Sequence, residues 1–225
     1  MHEAPKPNLH ILFDLDGTLT ESEQGIINSV IYALGEMGII ENDREKLKKF
    51  IGPPLRESFM KYYGFDEAEA EKVVAHYRVN YKAKGIYEAP LYDGVKETLQ
   101  ALKDMGINLY LATAKPEIFA NQILKYFEID HLFTDVVGSC LDGTLGTKDE
   151  IIAFLLEKNN ISDKSKTIMV GDREYDITGA KSAGSSSIGV LYGYGDYDEL
   201  KNAGADHIIE KIEDILTYEK IRSIN

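Results

Sequence analysis

The chain has 225 residues, 44% of them hydrophobic, enough for one compact domain or for a main domain carrying a sizeable insertion. Its 25 basic against 38 acidic residues give a formal charge of −13, which repels polyanions and makes nucleic acid and anionic membranes poor partners. A single cysteine, Cys140, excludes an internal disulfide, no charged-then-apolar leader precedes the first strand-like run, and no apolar stretch nears the ~18 residues that span a bilayer, so a reducing cytoplasm is the expected compartment.

Leu9–Phe13 is a short apolar run that stops at Asp14 and is predicted to be a buried parallel strand. The stretch from about Ser22 to Gly85 has helical patterns at Gly25–Met37, Arg44–Phe50, Leu55–Tyr63 and Asp66–Lys84, with no convincing strand. Thr20 and Glu23 have capping-box spacing, which would start the first of these helices. Residues 22–85 are therefore expected to be an inserted helical cap, with Tyr62, Tyr63, Tyr77 and Tyr81 in its core, returning through Ile86–Tyr92. Beyond it, strand-like runs at Asn108–Ala112, Asp135–Gly138, Thr167–Val170 and Ser187–Leu191 alternate with helical patterns at Val95–Met105, Pro116–Tyr126, Lys148–Lys158 and about Asp176–Ala183. The alternation predicts an α/β fold: a doubly wound, Rossmann-like parallel sheet formed by residues 1–21 and 86–225, with its ligand site beyond the carboxyl ends of the strands.

The acidic residues gather at those ends. Asp14 and Asp16 directly follow the first strand, with Gly17 allowing a sharp turn. Two carboxylates one residue apart can divide labour, one attacking phosphorus and the other moving protons; the alternative is a loop whose acids cap the next helix. Asp172 and Asp176 follow the run Thr167–Val170, and with Asp14 and Asp16 they would present several oxygens to a hard cation, for which magnesium is the natural choice. Separately, they also read as a helix N-cap and a first-turn acid. Thr113 suits either a phosphate-binding hydroxyl or a helix cap. Lys148 opposes the dipole at a helix start, which suggests an anion to neutralise, or else a solvated lysine paired with Asp149 or Glu150.

Other chemistries find no support. The histidines at 2, 10, 76, 131 and 207 lack metal-ligand spacing, and an EF-hand loop from Asp14 fails because Leu19 stands where its glycine belongs. There is no P-loop, Cys140 lacks the arginine of a cysteine-phosphatase loop, and Gly193-Tyr194-Gly195 is not a dinucleotide fingerprint because Asp198 occupies the last glycine position.

Taken in order, Asp14-Leu15-Asp16-Gly17-Thr18, Thr113 after an apolar strand, Lys148 at a helix start and Gly171-Asp172-Arg173-Glu174-Tyr175-Asp176 resemble the four motifs of the haloacid dehalogenase superfamily. The resemblance implies Asp14 as nucleophile and Asp16 as acid and base. It also implies magnesium held by Asp14, the backbone carbonyl of Asp16 and Asp172, with Asp176 in support, and a phosphoryl group held by Thr113 and Lys148. The acid at position 16 is that of the phosphotransferases, which disfavours dehalogenase chemistry. Leu111–Pro116, Ile51–Leu55 and Leu191–Gly195 resemble the phosphoglycolate phosphatase and 5′-nucleotidase-like branch, although Asp149 stands where many relatives have proline after the lysine. The implied substrate is a small phosphomonoester, with a β-phosphoglucomutase-like transferase or a non-catalytic receiver-like regulator as alternatives. In the cap, Gly52 would let backbone approach a ligand, and Arg56 would either reach a substrate anion or pair with nearby acids.

Overall fold

The computed structural model describes residues 9–141 and 144–222. The chain divides into two units, Met1–Thr20 with Leu91–Asn225, and Glu21–Pro90.

The first unit is built on six parallel strands: β1 (His10–Phe13), β2 (Asn108–Pro116), β3 (Asp135–Ser139), β4 (Thr167–Gly171), β5 (Ser186–Val190) and β6 (His207–Ile209), in the spatial order β3-β2-β1-β4-β5-β6. β1 lies between β2 and β4, pairing Phe13 with Leu111 on one side and with Val170 on the other. The strand order reverses at β1, so the crevice at which such sheets take ligands opens where β1 and β4 end. All four residues of β1 are buried, as a central strand covered on both faces requires. Leu12, Ala112 and Met169 pack on one face against Ile151, Ile152 and Leu155; these come from the helix Lys148–Lys158.

Three departures from the sequence expectation have physical causes. β2 does not stop at Ala112 but continues through a register shift between Thr113 and Pro116, so Thr113 sits inside a strand and the next helix begins only at Glu117. Gly138 permits this irregularity, because a Cβ there would run into the backbone of Lys115 and Glu117. The expected Thr20–Glu23 capping box is not formed. The helix Glu23–Glu36 is preceded by Ser22, and the Thr20 hydroxyl instead donates to the Leu15 carbonyl at 3.2 Å. β6, three residues long, has no counterpart among the predicted strands.

The second unit is helical: α1 (Glu23–Glu36), α2 (Arg44–Lys48), α3 (Leu55–Tyr63) and α4 (Glu67–Ala83); the helices of the first unit continue with α5 (Val95–Asp104), α6 (Glu117–Tyr126), α7 (Lys148–Lys158) and α8 (Glu174–Ser182). α4 opens on a reciprocal cap, the Asp66 carboxylate accepting the Glu69 N–H at 2.9 Å while Glu69 accepts that of Asp66 at 3.0 Å. Tyr77 and Tyr81 on α4 are buried and stacked with ring centroids 5.3 Å apart. Phe59, fully buried on α3, is surrounded by Phe50, Tyr63 and Phe65 at 4.7–6.3 Å. Phe59→Ala empties the middle of that cluster and is expected to destabilise this unit by ~3–5 kcal/mol. Hydrogen exchange should then accelerate in α3 and α4 while the amides of β1 and β4 keep their protection. No helix among the described residues is long and apolar enough to cross a membrane.

Candidate active site

The chain leaves β1 at Asp14, whose N–H donates to the Val170 carbonyl at 2.9 Å, so Asp14 stands over the junction of β1 and β4. The following residues wind into a tight turn in which the N–H groups of Thr18, Leu19 and Thr20 converge on the Leu15 carbonyl. Gly17 has φ +83°, and a Cβ there would collide with the Asp172 carboxylate, so both conformation and space demand glycine.

Lys148, the first residue of α7 (Lys148–Lys158), is buried. An ammonium group has three N–H donors. Here they meet the Asp14 carboxylate at 2.8 Å, the Asp176 carboxylate at 2.8 Å and the Ala112 carbonyl at 3.0 Å. Burial alone would lower its pKa; Asp14 and Asp176 outweigh that and hold the ammonium above its ordinary value. The solvated lysine paired with Asp149 or Glu150 is thus excluded, and Glu150 instead accepts the Thr147 N–H at 3.2 Å.

Asp172 follows β4 and is wholly buried. Its Oδ1 accepts from the Thr18 hydroxyl at 3.2 Å and its Oδ2 from the Tyr194 N–H at 2.8 Å. Burial, then repulsion from Asp176 and Asp14, pushes this carboxyl well above the usual range. The N-cap of α8 (Glu174–Ser182) is Arg173, not Asp172. Asp176 lies in the first turn of α8, accepts the Arg173 N–H at 3.1 Å, and is raised by burial to about 6 despite Lys148. Gly171 makes room for the Asp176 carboxylate, which a Cβ at 171 would strike.

Asp16 turns elsewhere: its Oδ2 accepts from the Lys115 ammonium at 2.5 Å, while its buried Oδ1 takes no hydrogen bond from the described residues. Thr113 is buried and its hydroxyl accepts the Lys115 N–H at 3.3 Å, so it is not a helix cap. Thr113 and Lys115 both lie in the irregular carboxyl end of β2, where the register with β3 shifts. Lys115 is the site residue that sequence reasoning passed over. Its signal was a lysine at the carboxyl end of a strand, two residues after the threonine already singled out.

Four carboxylates thus stand beside two ammonium groups: Lys115 pairs with Asp16 and Lys148 with Asp14 and Asp176, while Asp172 has only the Thr18 hydroxyl and the Tyr194 N–H among the described residues. Asp14, Asp172 and Asp176 each present an oxygen within 4.8 Å of the others. Surplus negative charge on hard oxygen donors, in a setting that strongly penalises the ionised Asp172, fits a divalent hard cation. Gly52 and Arg56 belong to the helical unit, where the Arg56 guanidinium pairs with Glu67 at 3.4 Å and Glu71 at 4.0 Å.

Comparison with known proteins gives the same direction. A family model described as haloacid dehalogenase-like hydrolase matches residues 11–190. A 5′-nucleotidase of Pseudomonas aeruginosa is 46% identical over 201 residues, covering 89% of this chain and 90% of that protein. The pyrophosphatase PpaX of Halalkalibacterium halodurans is 32% identical over 207 residues, covering 92% of this chain and 94% of its own. The crystal structure of a predicted phosphatase from Clostridium acetobutylicum superposes with a TM-score of 0.88 at 47% identity, over 93% of this chain and 96% of that one.

Proposed function

This chain belongs to the haloacid dehalogenase-like hydrolases and is a phosphatase acting on phosphoesters, and from that premise we propose a magnesium-dependent phosphomonoesterase that works through an aspartyl-phosphate on Asp14. The observation that carries the proposal is the buried Lys148 ammonium bridging Asp14 and Asp176 beside Asp172.

An Asp14 carboxylate oxygen attacks phosphorus, forming a new P–O bond as the bond to the leaving oxygen breaks. The leaving oxygen keeps that electron pair and takes a proton from Asp16. Asp16, now a carboxylate held by Lys115, removes a proton from water. The water oxygen attacks the same phosphorus, freeing inorganic phosphate and restoring the Asp14 carboxylate. Thr113 would hold a phosphoryl oxygen, and the Lys148 ammonium, fixed by its own three partners, offsets the negative charge on Asp14 and on the phosphoryl group through both steps. Magnesium bound by Asp14, the Asp16 carbonyl and Asp172, with Asp176 in support, would supply electrophilic stabilisation of the phosphoryl charge.

The similarity to a 5′-nucleotidase across nine-tenths of both chains favours a nucleoside 5′-monophosphate as substrate, ahead of phosphoglycolate. The weaker similarity to a pyrophosphatase makes pyrophosphate the second reading. Cys140, exposed and without a disulfide partner, suits a reducing cytoplasm.

Phosphate release should be measured across nucleoside monophosphates, phosphoglycolate, pyrophosphate and hexose phosphates. Nucleoside 5′-monophosphates are expected to react fastest, chelation to stop the reaction and magnesium to restore it. Full activity in metal-stripped protein refutes the metal requirement, fastest release from pyrophosphate replaces the substrate, and hexose phosphate isomers formed without free phosphate point to a mutase.

A further inference from the structure

The segment Gly193-Tyr194-Gly195, in the loop after β5, has no part in the chemistry described so far, yet it closes over Asp172. Neither glycine has a positive φ, so the demand is for space rather than for backbone conformation. A Cβ on Gly193 would meet the Gly17 carbonyl and the Asp172 side chain, and one on Gly195 would meet the Asp172 carbonyl oxygen. Only with both residues bare does the loop come near enough for the Tyr194 N–H to reach Asp172 Oδ2 at 2.8 Å. On the opposite side, the Thr18 hydroxyl reaches Oδ1 at 3.2 Å. The loop is itself anchored, because the Tyr192 hydroxyl donates to the Thr18 carbonyl at 3.0 Å and the Tyr192 ring packs edge-on to Tyr92 at 4.9 Å.

We propose that Thr18 and the Gly193–Gly195 segment are positioning residues that clamp both oxygens of Asp172 and thereby set the affinity of the site for its divalent cation. The inference rests on the metal reading above. The terminal torsion of an aspartate is broad, so a carboxylate with no fixed donors can rotate its oxygens away from a ligand position. One donor on each oxygen fixes that torsion while leaving lone pairs on both, since a carboxylate has about four acceptor sites. Partners of this kind commonly contribute ~10–100-fold to metal affinity.

Calorimetric titration of magnesium into chelator-stripped protein tests the clamp without reference to turnover. Gly193→Ala and Thr18→Val should each weaken magnesium binding by ~10–100-fold, whereas Thr18→Ser should keep wild-type affinity because it keeps the donor. Gly35→Ala, on an open face of α1 with nothing within 4 Å of the new methyl group, serves as the neutral control. In the weakened variants, excess magnesium should restore kcat. Should Gly193→Ala fail to fold, Thr18→Val against Thr18→Ser decides alone. Wild-type protein that binds magnesium alongside Gly193→Ala and Thr18→Val variants that bind it equally well overturns the clamp and leaves the proposed function standing. Wild-type protein that binds no magnesium overturns both.

Discussion

Asp14→Asn should release no measurable phosphate from any substrate that the wild-type protein hydrolyses, a loss on the order of 10⁶-fold, the scale on which removing a covalent nucleophile acts. The amide is a poor nucleophile toward phosphorus, and it withdraws one of the three clustered carboxylate oxygens. The fold should survive, because the Lys148 ammonium keeps Asp176 and the Ala112 carbonyl as partners. Asp16→Asn makes the informative contrast. It leaves the Asp14 carboxylate in place and should slow leaving-group departure by ~10²–10⁴-fold, with the smaller loss on aryl phosphates, whose leaving oxygen needs little protonation. Beryllium fluoride should give an acyl-phosphate mimic on Asp14 in wild-type and Asp16→Asn protein, and none in Asp14→Asn. Near-normal turnover by Asp14→Asn would dismiss the covalent route.

The sheet was legible because buried parallel strands are written as short, nearly continuous apolar runs, and five of the six strands have that form. β6 escaped notice because three residues beginning with an exposed histidine carry no such signal. β2 outruns its sequence signal because its apolar run ends at Ala112, while the backbone pairing that carries it to Pro116 depends on Gly138 of the neighbouring strand. The helix α8 was expected near Asp176 and begins at Glu174, because the Asp176 carboxylate caps the Arg173 N–H and draws one more stretch of chain into the first turn. The same distinction governs the site. Asp14, Lys148, Asp172 and Asp176 stood out because each is a charged residue at a place where the pattern leads one to expect a buried strand end or a helix start. Lys115 carries no such signal, a lysine before a proline being ordinary in sequence, and the Gly193–Gly195 loop is visible as a glycine-rich segment without any sign of what it closes over. Their significance arises from what lies across the sheet, Asp16 for one and Asp172 for the other.

Lys148→Met is expected to lower kcat by ~10²–10³-fold, the cost of removing one preorganised positive charge from beside a developing anion, and to destabilise the metal-free protein by ~3–5 kcal/mol, because it strands two buried carboxylates without their shared cation. The stability loss should depend on pH with a definite sign. In the wild type, Asp176 already stands at about 6, raised by burial and held down by Lys148. Without the ammonium its folded-state pKa rises further, while its unfolded value is unchanged. A carboxyl whose folded pKa is raised stabilises the fold below its unfolded pKa and loses that contribution as pH climbs through the folded one. The deficit of Lys148→Met relative to wild type should therefore be small near about pH 5 and widen toward about pH 8. Thermal melts in chelator across that range are the measurement, and added magnesium should narrow the gap by supplying the missing positive charge. Lys148→Arg keeps the charge but replaces three diverging N–H donors with a planar fork that cannot serve Asp14, Asp176 and the Ala112 carbonyl together, so it should recover more of the stability than of the rate. A Lys148→Met protein with wild-type kcat would show that the ammonium holds the two carboxylates for the fold alone.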